Sequence, residues 1–292
     1  MDFKDLSICI PAFNEDKIIR SMLIELKKEF PDSEIIVVDD GSSDKTKEMA
    51  KSVEGITVLE HKQNIGYGGA LKTAMQRANG EIVAWYDADG QHNPKDLKKV
   101  AQPVVDEKYE VVIGVRQKDF YQSVERIPGK MILKFIAQFV AKETIPDINS
   151  GMRCFKKNII KKYLHLLPDG FSATTTSTLL MIKQRYKVGY KSIKIQKRVG
   201  KSSVKIVRDG WNSLVLIFRV LILFEAFRFF TLLAFLQICF AMFYGLYIAF
   251  NNKLGFPVFA SMIFISGILT FFMGIICDQI VSMRKEKFEK YH

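Results

Sequence analysis

Apolar and polar positions alternate in blocks along the first 115 residues. LSICIP (6–11), EIIVVDD (34–40), ITVLEH (56–61), EIVAWYD (81–87) and YEVVIGV (109–115) are short, nearly continuous apolar runs. That is the pattern of strands buried on both faces. The intervals between them are helical. NEDKIIRSMLIELKKEF (14–30) puts Ile18, Ile19, Met22 and Leu26 on one face, with Asn14 as the predicted N-cap. Asp44 is expected to cap a helix after the second strand, GYGGALKTAMQRANG (66–80) predicts a helix closed by Gly80 at C′, and residues 95–108 predict another. The βαβα order predicts an α/β domain with a mainly parallel sheet and helices on both faces.

The second half is less regular. Residues 131–143 predict a helix near a membrane, SGMRCF (150–155) a short strand, 176–189 a helix ending near Gly189, and 190–198 a strand. From Phe227 to Met283 the chain is almost continuously apolar, broken at NNKLG (251–255). Residues 227–250 and 256–283 each exceed the roughly 20 residues that cross a bilayer. They predict a two-helix transmembrane hairpin, with a buried hairpin of a soluble core as the alternative. Residues 208–226 are apolar but contain Arg219 and Glu225, and predict an interfacial helix leading into the first span.

Composition narrows the class. The formal net charge is +12, which suits nucleic acid, an anionic membrane or phosphate-bearing ligands. The hairpin selects membrane and phosphate, and no nucleic-acid partner is expected. The turn between the spans carries only Lys253, whereas the segment before the first span and the tail 284–292 are rich in Lys and Arg. The positive-inside rule puts both in the cytoplasm. MDFKDLSICIP leaves no stretch for a signal peptide, so the expectation is an integral protein of the cytoplasmic membrane with a cytosolic domain over 1–207. Cys9, Cys154, Cys239 and Cys277 form no C-x-x-C pair, so neither a zinc site nor a disulfide framework is indicated.

Candidate chemistry gathers at strand ends, where open α/β sheets bind ligands. Asn14-Glu15, Asp39-Asp40 and Asp87-Asp89 all stand there. Residues two apart on a strand point the same way, so Asp87 and Asp89 are predicted to face one cation, with Gln91 as a further oxygen ligand. Oxygen-only ligation suits Mg²⁺ or Mn²⁺. Two solvated turn aspartates are the alternative. An EF-hand is excluded because Lys98 occupies the position that needs a glutamate. Asp39 is a candidate base or ribose contact. GYGGAL lacks the last glycine of G-x-G-x-x-G, and RVGKSS lacks the leading glycine of a P-loop.

IPAFNE (10–15), VVDDGSSD (37–44), NIGYGGAL (64–71), YDADGQH (86–92) and DINSGMRCF (147–155) occur in that order. This set resembles the family 2 glycosyltransferases of GT-A fold, and more closely the dolichyl- and undecaprenyl-phosphate sugar synthases. GFSATTTSTLL, RVGKSSVKIVRDG and the apolar C-terminal hairpin resemble a bacterial and archaeal branch of that group. The resemblance implies a metal-dependent, inverting transferase that moves a sugar from a UDP- or GDP-sugar to a polyprenyl phosphate. Pro11, Asn14, Glu15, Asp39, Asp40, Asp87 and Arg153 would bind the nucleotide sugar. Asp87, Asp89 and Gln91 would hold Mg²⁺ or Mn²⁺ on the diphosphate. Arg116, Arg126, Ser150, Lys201 and Lys205 would meet the acceptor phosphate, and Asp89, Asp147 and Arg126 would serve catalysis, with Asp147 a candidate base or sugar contact. The implied partners are the nucleotide sugar, the polyprenyl phosphate, the bilayer and a second copy of the chain. Another lipid or polysaccharide acceptor, or a catalytically silent nucleotide-sugar-binding partner, stays open as an alternative. The family often has an acidic residue just after Gly170-Phe171, where this chain reads SATTTST, which implies a different sugar preference.

Overall fold

The computed structural model describes residues 3–117, 138, 141–170, 172–196, 206–252 and 255–289. It divides into two compact units, Met1–Ile206 and Val207–His292. Arg126, Lys201, Lys205, Phe171 and most of the helix predicted over 131–143 lie outside the described residues.

The first unit is built on a seven-stranded sheet: β1 (Leu6–Ala12), β2 (Glu34–Asp39), β3 (Thr57–Glu60), β4 (Ile82–Trp85), β5 (Val111–Arg116), β6 (Arg153–Lys156) and β7 (Val188–Ile193). Their spatial order is β3-β2-β1-β4-β6-β5-β7. β6 runs antiparallel to β4 and β5, and every other pair is parallel. The helices are α1 (Ile19–Glu29), α2 (Thr46–Lys51), α3 (Tyr67–Arg77), α4 (Pro94–Val105), α5 (Lys157–Lys162) and α6 (Ala173–Lys183). Of the α1 face read from the sequence, Ile19, Met22 and Leu26 are buried in one core with Ile8 and Ile10 of β1; Leu23 joins them, and Ile18, at the N-cap, is only half-buried. α4 begins where its sequence says it should. Asn93 Oδ1 accepts from the Lys95 N–H at 2.9 Å, and Pro94 fills the first helical position, where no N–H is needed.

Three predicted helix ends are corrected. α1 starts at Ile19, not at Asn14. Asn14 has φ 55 and its side chain turns to the next loop, accepting from the Ser43 N–H at 2.9 Å. Gly80 is not a helical C′, because α3 ends at Arg77 with Ala78 as its C-cap. A side chain at Gly80 would collide with the Asp5 carbonyl at 2.4 Å, so this glycine permits a close backbone crossing. Gly189 lies inside β7 rather than at a helix end. Asp44 stands one residue ahead of Lys45, the N-cap of α2, and its Oδ1 still accepts from the Thr46 N–H at 2.9 Å.

In the second unit, α7 (Ile206–Asn252) contains a break at Glu225, with φ −141 and ψ 36, and α8 is Val258–Glu289. The helix thus runs on through residues expected as a separate tail. Phe224–Asn251 and Val258–Met283 are long and apolar enough to cross a membrane, and only 17% of the most apolar window of each is buried. That exposure disfavours the core of a soluble protein. Small residues let the two helices approach. Ala234 and Ala241 of α7 and Ala260 of α8 are buried, and a Cβ at Gly267 or Gly274 would collide with Ile238 or Phe230.

Candidate active site

β1 is flanked by β2 on one side and β4 on the other, so the sheet order reverses between β1 and β4. A crevice at their carboxyl ends follows from that reversal. β4 pairs β1 only as far as Cys9↔Trp85, after which the Tyr86 N–H donates to the Cys9 carbonyl at 3.1 Å. Beyond this point the strands part. Successive residues of a strand address opposite neighbours, so Pro11 turns its N–H-less nitrogen toward the gap, where no ladder bond is lost.

The loops after β1 and β2 are joined. The Asn14 N–H donates to Ser42 Oγ at 3.0 Å, and the Glu15 N–H donates to Thr46 Oγ1 at 2.8 Å. Asp39 is buried, with Oδ1 accepting from the Ser42 hydroxyl. Asp40 is buried too, and both of its oxygens face protein. Oδ1 accepts from the Ile65 N–H at 2.9 Å and meets His61 Nδ1 at 2.7 Å, and Oδ2 accepts from the Gly66 N–H at 2.7 Å. Asp40 therefore fixes the entry to α3 instead of facing the crevice as expected.

That entry delivers Tyr67 to Asp87. The Tyr67 hydroxyl donates to Asp87 Oδ1 at 2.8 Å, and His92 Nε2 lies 3.2 Å from Oδ2. Gly151 closes the third side: a Cβ there would fall 2.1 Å from Asp87 Oδ2. Burial pushes the Asp87 pKa up, but the hydrogen bond from His92, the Tyr67 phenol and the charge of Arg116 hold it below its ordinary value. Burial and the Asp87 charge raise Tyr67 well above its ordinary value, so it remains a donor.

Asp87 and Asp89 are not on the strand, which ends at Trp85. They sit on the following turn, where Gly90 has φ 70 and the Gln91 N–H donates to Asp89 Oδ1 at 3.1 Å. Strand alternation therefore does not align them. Among the described residues no group of three or more His, Cys, Asp and Glu side chains is placed to hold a metal ion. Two carboxylates with one carboxamide fit a different arrangement. Mg²⁺ usually takes one or two carboxylates and completes its shell with ligand phosphates and water. The donors here, all oxygen and beside a crevice, suit such an ion.

The 147–153 segment differs from expectation in three residues. Arg116 Nε and Nη2 donate to Asp147 Oδ2 and Oδ1 at 2.6 and 2.9 Å, a two-pronged ion pair. Burial raises the Asp147 pKa, but Arg116 and the backbone N–H groups of Arg116 and Asn149 outweigh it and hold the carboxyl below its usual range. A carboxylate so held is a weak base. Ser150 is fully buried, so it does not face an open phosphate site, and its hydroxyl has no partner among the described residues. Arg153 is fully buried as well. Its guanidinium donates to the Ile148, Ser150 and Thr174 carbonyls at 2.9, 2.8 and 2.6 Å, and to Ser177 Oγ and Thr178 Oγ1 at 3.0 and 2.6 Å. Burial lowers its pKa to about 10, with Tyr67, Asp147 and Asp87 acting the other way, so it stays charged. Instead of reaching a nucleotide, Arg153 ties the 148–150 loop to the first turns of α6. Tyr67 and His92 escaped the sequence reading, although both stand inside quoted motifs. The signal available was a hydrogen-bonding residue at the start of the helix after β3, and another five residues after Asp87.

Comparison with known proteins agrees with this geometry. The model of glycosyl transferase family 2 matches residues 7–164, and that of the GtrB C-terminal hairpin matches residues 227–283. An uncharacterized protein of Methanocaldococcus jannaschii is 39% identical over 63% of this chain and 78% of its own length. The UDP-N-acetylglucosamine–dolichyl-phosphate N-acetylglucosaminyltransferase of Methanococcus voltae is 31% identical over 62% of this chain and 81% of its own. The undecaprenyl-phosphate 4-deoxy-4-formamido-L-arabinose transferase of Pectobacterium carotovorum is 28% identical over 56% of this chain and 52% of its own. Among solved structures, glucosyl-3-phosphoglycerate synthase from Mycobacterium tuberculosis with Mn²⁺, UDP and phosphoglyceric acid superposes with TM-score 0.61 at 18% identity, covering 74% of this chain and 77% of that one. The same synthase with Mg²⁺ and UDP gives 0.60 at 18% identity, over 74% and 78%. The ordered motifs, the sheet with its β1–β4 crevice and the C-terminal hairpin place this chain in glycosyl transferase family 2: it is a GT-A glycosyltransferase.

Proposed function

We propose that the protein transfers a sugar from a nucleoside-diphosphate donor, uridine-linked as in the M. voltae relative, to the phosphate of a polyprenyl lipid, with inversion at the anomeric carbon. The observation that carries this reading is the Asp87–Asp89 turn at the β1–β4 crevice of a chain that ends in an apolar hairpin. Asp87 and Asp89, with Gln91, would hold Mg²⁺ or Mn²⁺ against the diphosphate. The bound ion would neutralise the departing diphosphate as a Lewis acid. Pro11, Asn14, Glu15 and Asp39 line the ends of β1 and β2, and would take the nucleoside. A lipid phosphate is ionised near neutral pH, so no strong base is needed to activate it, and the enzyme mainly positions it. That agrees with Asp147, which Arg116 holds as an anion. In this reading the ion pair orients the sugar and acceptor, and abstracts no proton. Arg126, Lys201 and Lys205 are proposed to join Arg116 on the acceptor phosphate, with the catalytic domain, over 1–207, and the basic tail on the cytoplasmic face.

The test incubates the purified protein with labelled UDP- and GDP-sugars and undecaprenyl or dolichyl phosphate. An acid-labile labelled lipid that requires Mg²⁺ or Mn²⁺ is expected, and Asp89→Asn should nearly abolish it. Full activity in excess EDTA would sink the metal assignment. Label entering only polymer would move the acceptor elsewhere.

A further inference from the structure

We infer that Tyr67 and His92 are positioning residues that clamp the two oxygens of Asp87 and thereby set how tightly the site holds the cation of the donor diphosphate. The inference rests on the metal reading above and extends it to residues outside the D-x-D pair. Three observations carry it. The Tyr67 hydroxyl and His92 Nε2 each hold a different oxygen of the same carboxylate, at 2.8 and 3.2 Å. The clamp comes from both sides of the crevice, because Tyr67 opens α3 while His92 belongs to the turn after β4. Each partner is itself fixed. Asp40 holds the backbone N–H groups of Ile65 and Gly66 just ahead of Tyr67. His92 is buried, its own backbone bridges to Ile195, and its carbonyl accepts from the Tyr86 hydroxyl at 2.6 Å.

His92 Nδ1 is buried without a partner among the described residues. A neutral ring with its proton on Nε2 puts the donor against Asp87 and leaves only a lone pair at the buried nitrogen. Each carboxylate oxygen that accepts one hydrogen bond keeps a second lone pair for a metal ion. The two donors therefore restrict rotation of Asp87 without occupying its ligand capacity. Partners of this kind orient a ligand, and their removal typically costs about 10- to 100-fold in metal affinity or activity.

The experiment titrates Mn²⁺ by electron paramagnetic resonance into the full chain in detergent, with UDP present and, in parallel, GDP. Tyr67→Phe keeps the ring and removes the hydroxyl, and is expected to weaken Mn²⁺ about 10-fold or more. Saturating Mn²⁺ should then recover much of its kcat, which a merely structural defect would not allow. His92→Gln, which can still donate near the Nε2 position, should bind Mn²⁺ more tightly than His92→Ala. Wild-type Mn²⁺ affinity in folded Tyr67→Phe would overturn the inference while leaving the metal reading standing. Wild-type protein that binds no Mn²⁺ with either nucleotide would overturn both.

Discussion

Gly151→Ala isolates the geometry of Asp87 from everything else in the site. Gly151 does not have a positive φ, so alanine is permitted there by the backbone, and the only new feature is one methyl group. That methyl would stand 2.1 Å from Asp87 Oδ2 and 2.6 Å from its Cγ and Oδ1. Relieving it to ordinary contact at 3.4 Å moves the carboxylate by about 1.3 Å. Such a shift is enough to lengthen the 2.8 Å bond from Tyr67 or the 3.2 Å bond from His92 beyond hydrogen-bonding range. Overpacking of this size costs about 1–3 kcal/mol, which a domain with this core survives. Misplacing a reacting group by about 1 Å costs roughly 100-fold in rate. The expected result is a folded protein with kcat down about 100-fold and a weakened response to Mn²⁺. The assay is labelled-sugar transfer to polyprenyl phosphate across a Mn²⁺ series, with the unfolding midpoint recorded alongside. Gly80→Ala supplies the contrast. Its methyl would press on the Asp5 carbonyl at 2.4 Å, at the opposite end of the strands, so it should lower the midpoint and spare kcat. Wild-type turnover by Gly151→Ala, at unchanged Mn²⁺ dependence, would refute the view that Asp87 must sit where it does.

Two further outcomes follow from other parts of the molecule. The folded-state pKa of Asp147 is depressed, so the stability it contributes is complete above its unfolded value of about 3.9 and is lost as pH falls through the folded value; the difference in unfolding free energy between wild type and Asp147→Asn should be flat from about pH 8 to 5 and shrink below about pH 4, and a gap that stays constant into strong acid would argue against the Arg116 pair. In the hairpin, Gly267→Leu drives a side chain into Ile238, 2.7 Å from the first added carbon, and should lower the unfolding midpoint in detergent by the equivalent of about 1–3 kcal/mol while UDP affinity is unchanged; an unaltered midpoint would mean that the close approach of the two helices contributes little.

What the sequence disclosed and what it concealed divide along a physical line. Short apolar runs located all five strands of the first 116 residues: β1, β2, β4 and β5 are largely buried, which leaves nearly unbroken apolar runs, and β3, at the sheet edge and only partly buried, still carries one. They also located the carboxylates at the strand ends, since a polar cluster that stops an apolar run marks where the sheet meets water. They could not say where each carboxylate turns. Asp39 and Asp40 are adjacent and chemically identical, yet Asp40 faces three protein donors, two of them backbone N–H groups 25 and 26 residues away. Arg153 is the sharpest case. A cation in this motif invites the reading that it binds the nucleotide sugar, but its partners are three carbonyls and two hydroxyls brought together only by tertiary folding. Its effect on the site is then indirect. By fixing Ile148 and Ser150 it fixes Asp147 on one side of the loop and Gly151 on the other, and through Gly151 the space that Asp87 occupies. A lysine at this position would keep the charge but offer three donors in place of the planar fork. It would leave the loop, and with it Asp87, without the constraint that the site's chemistry requires.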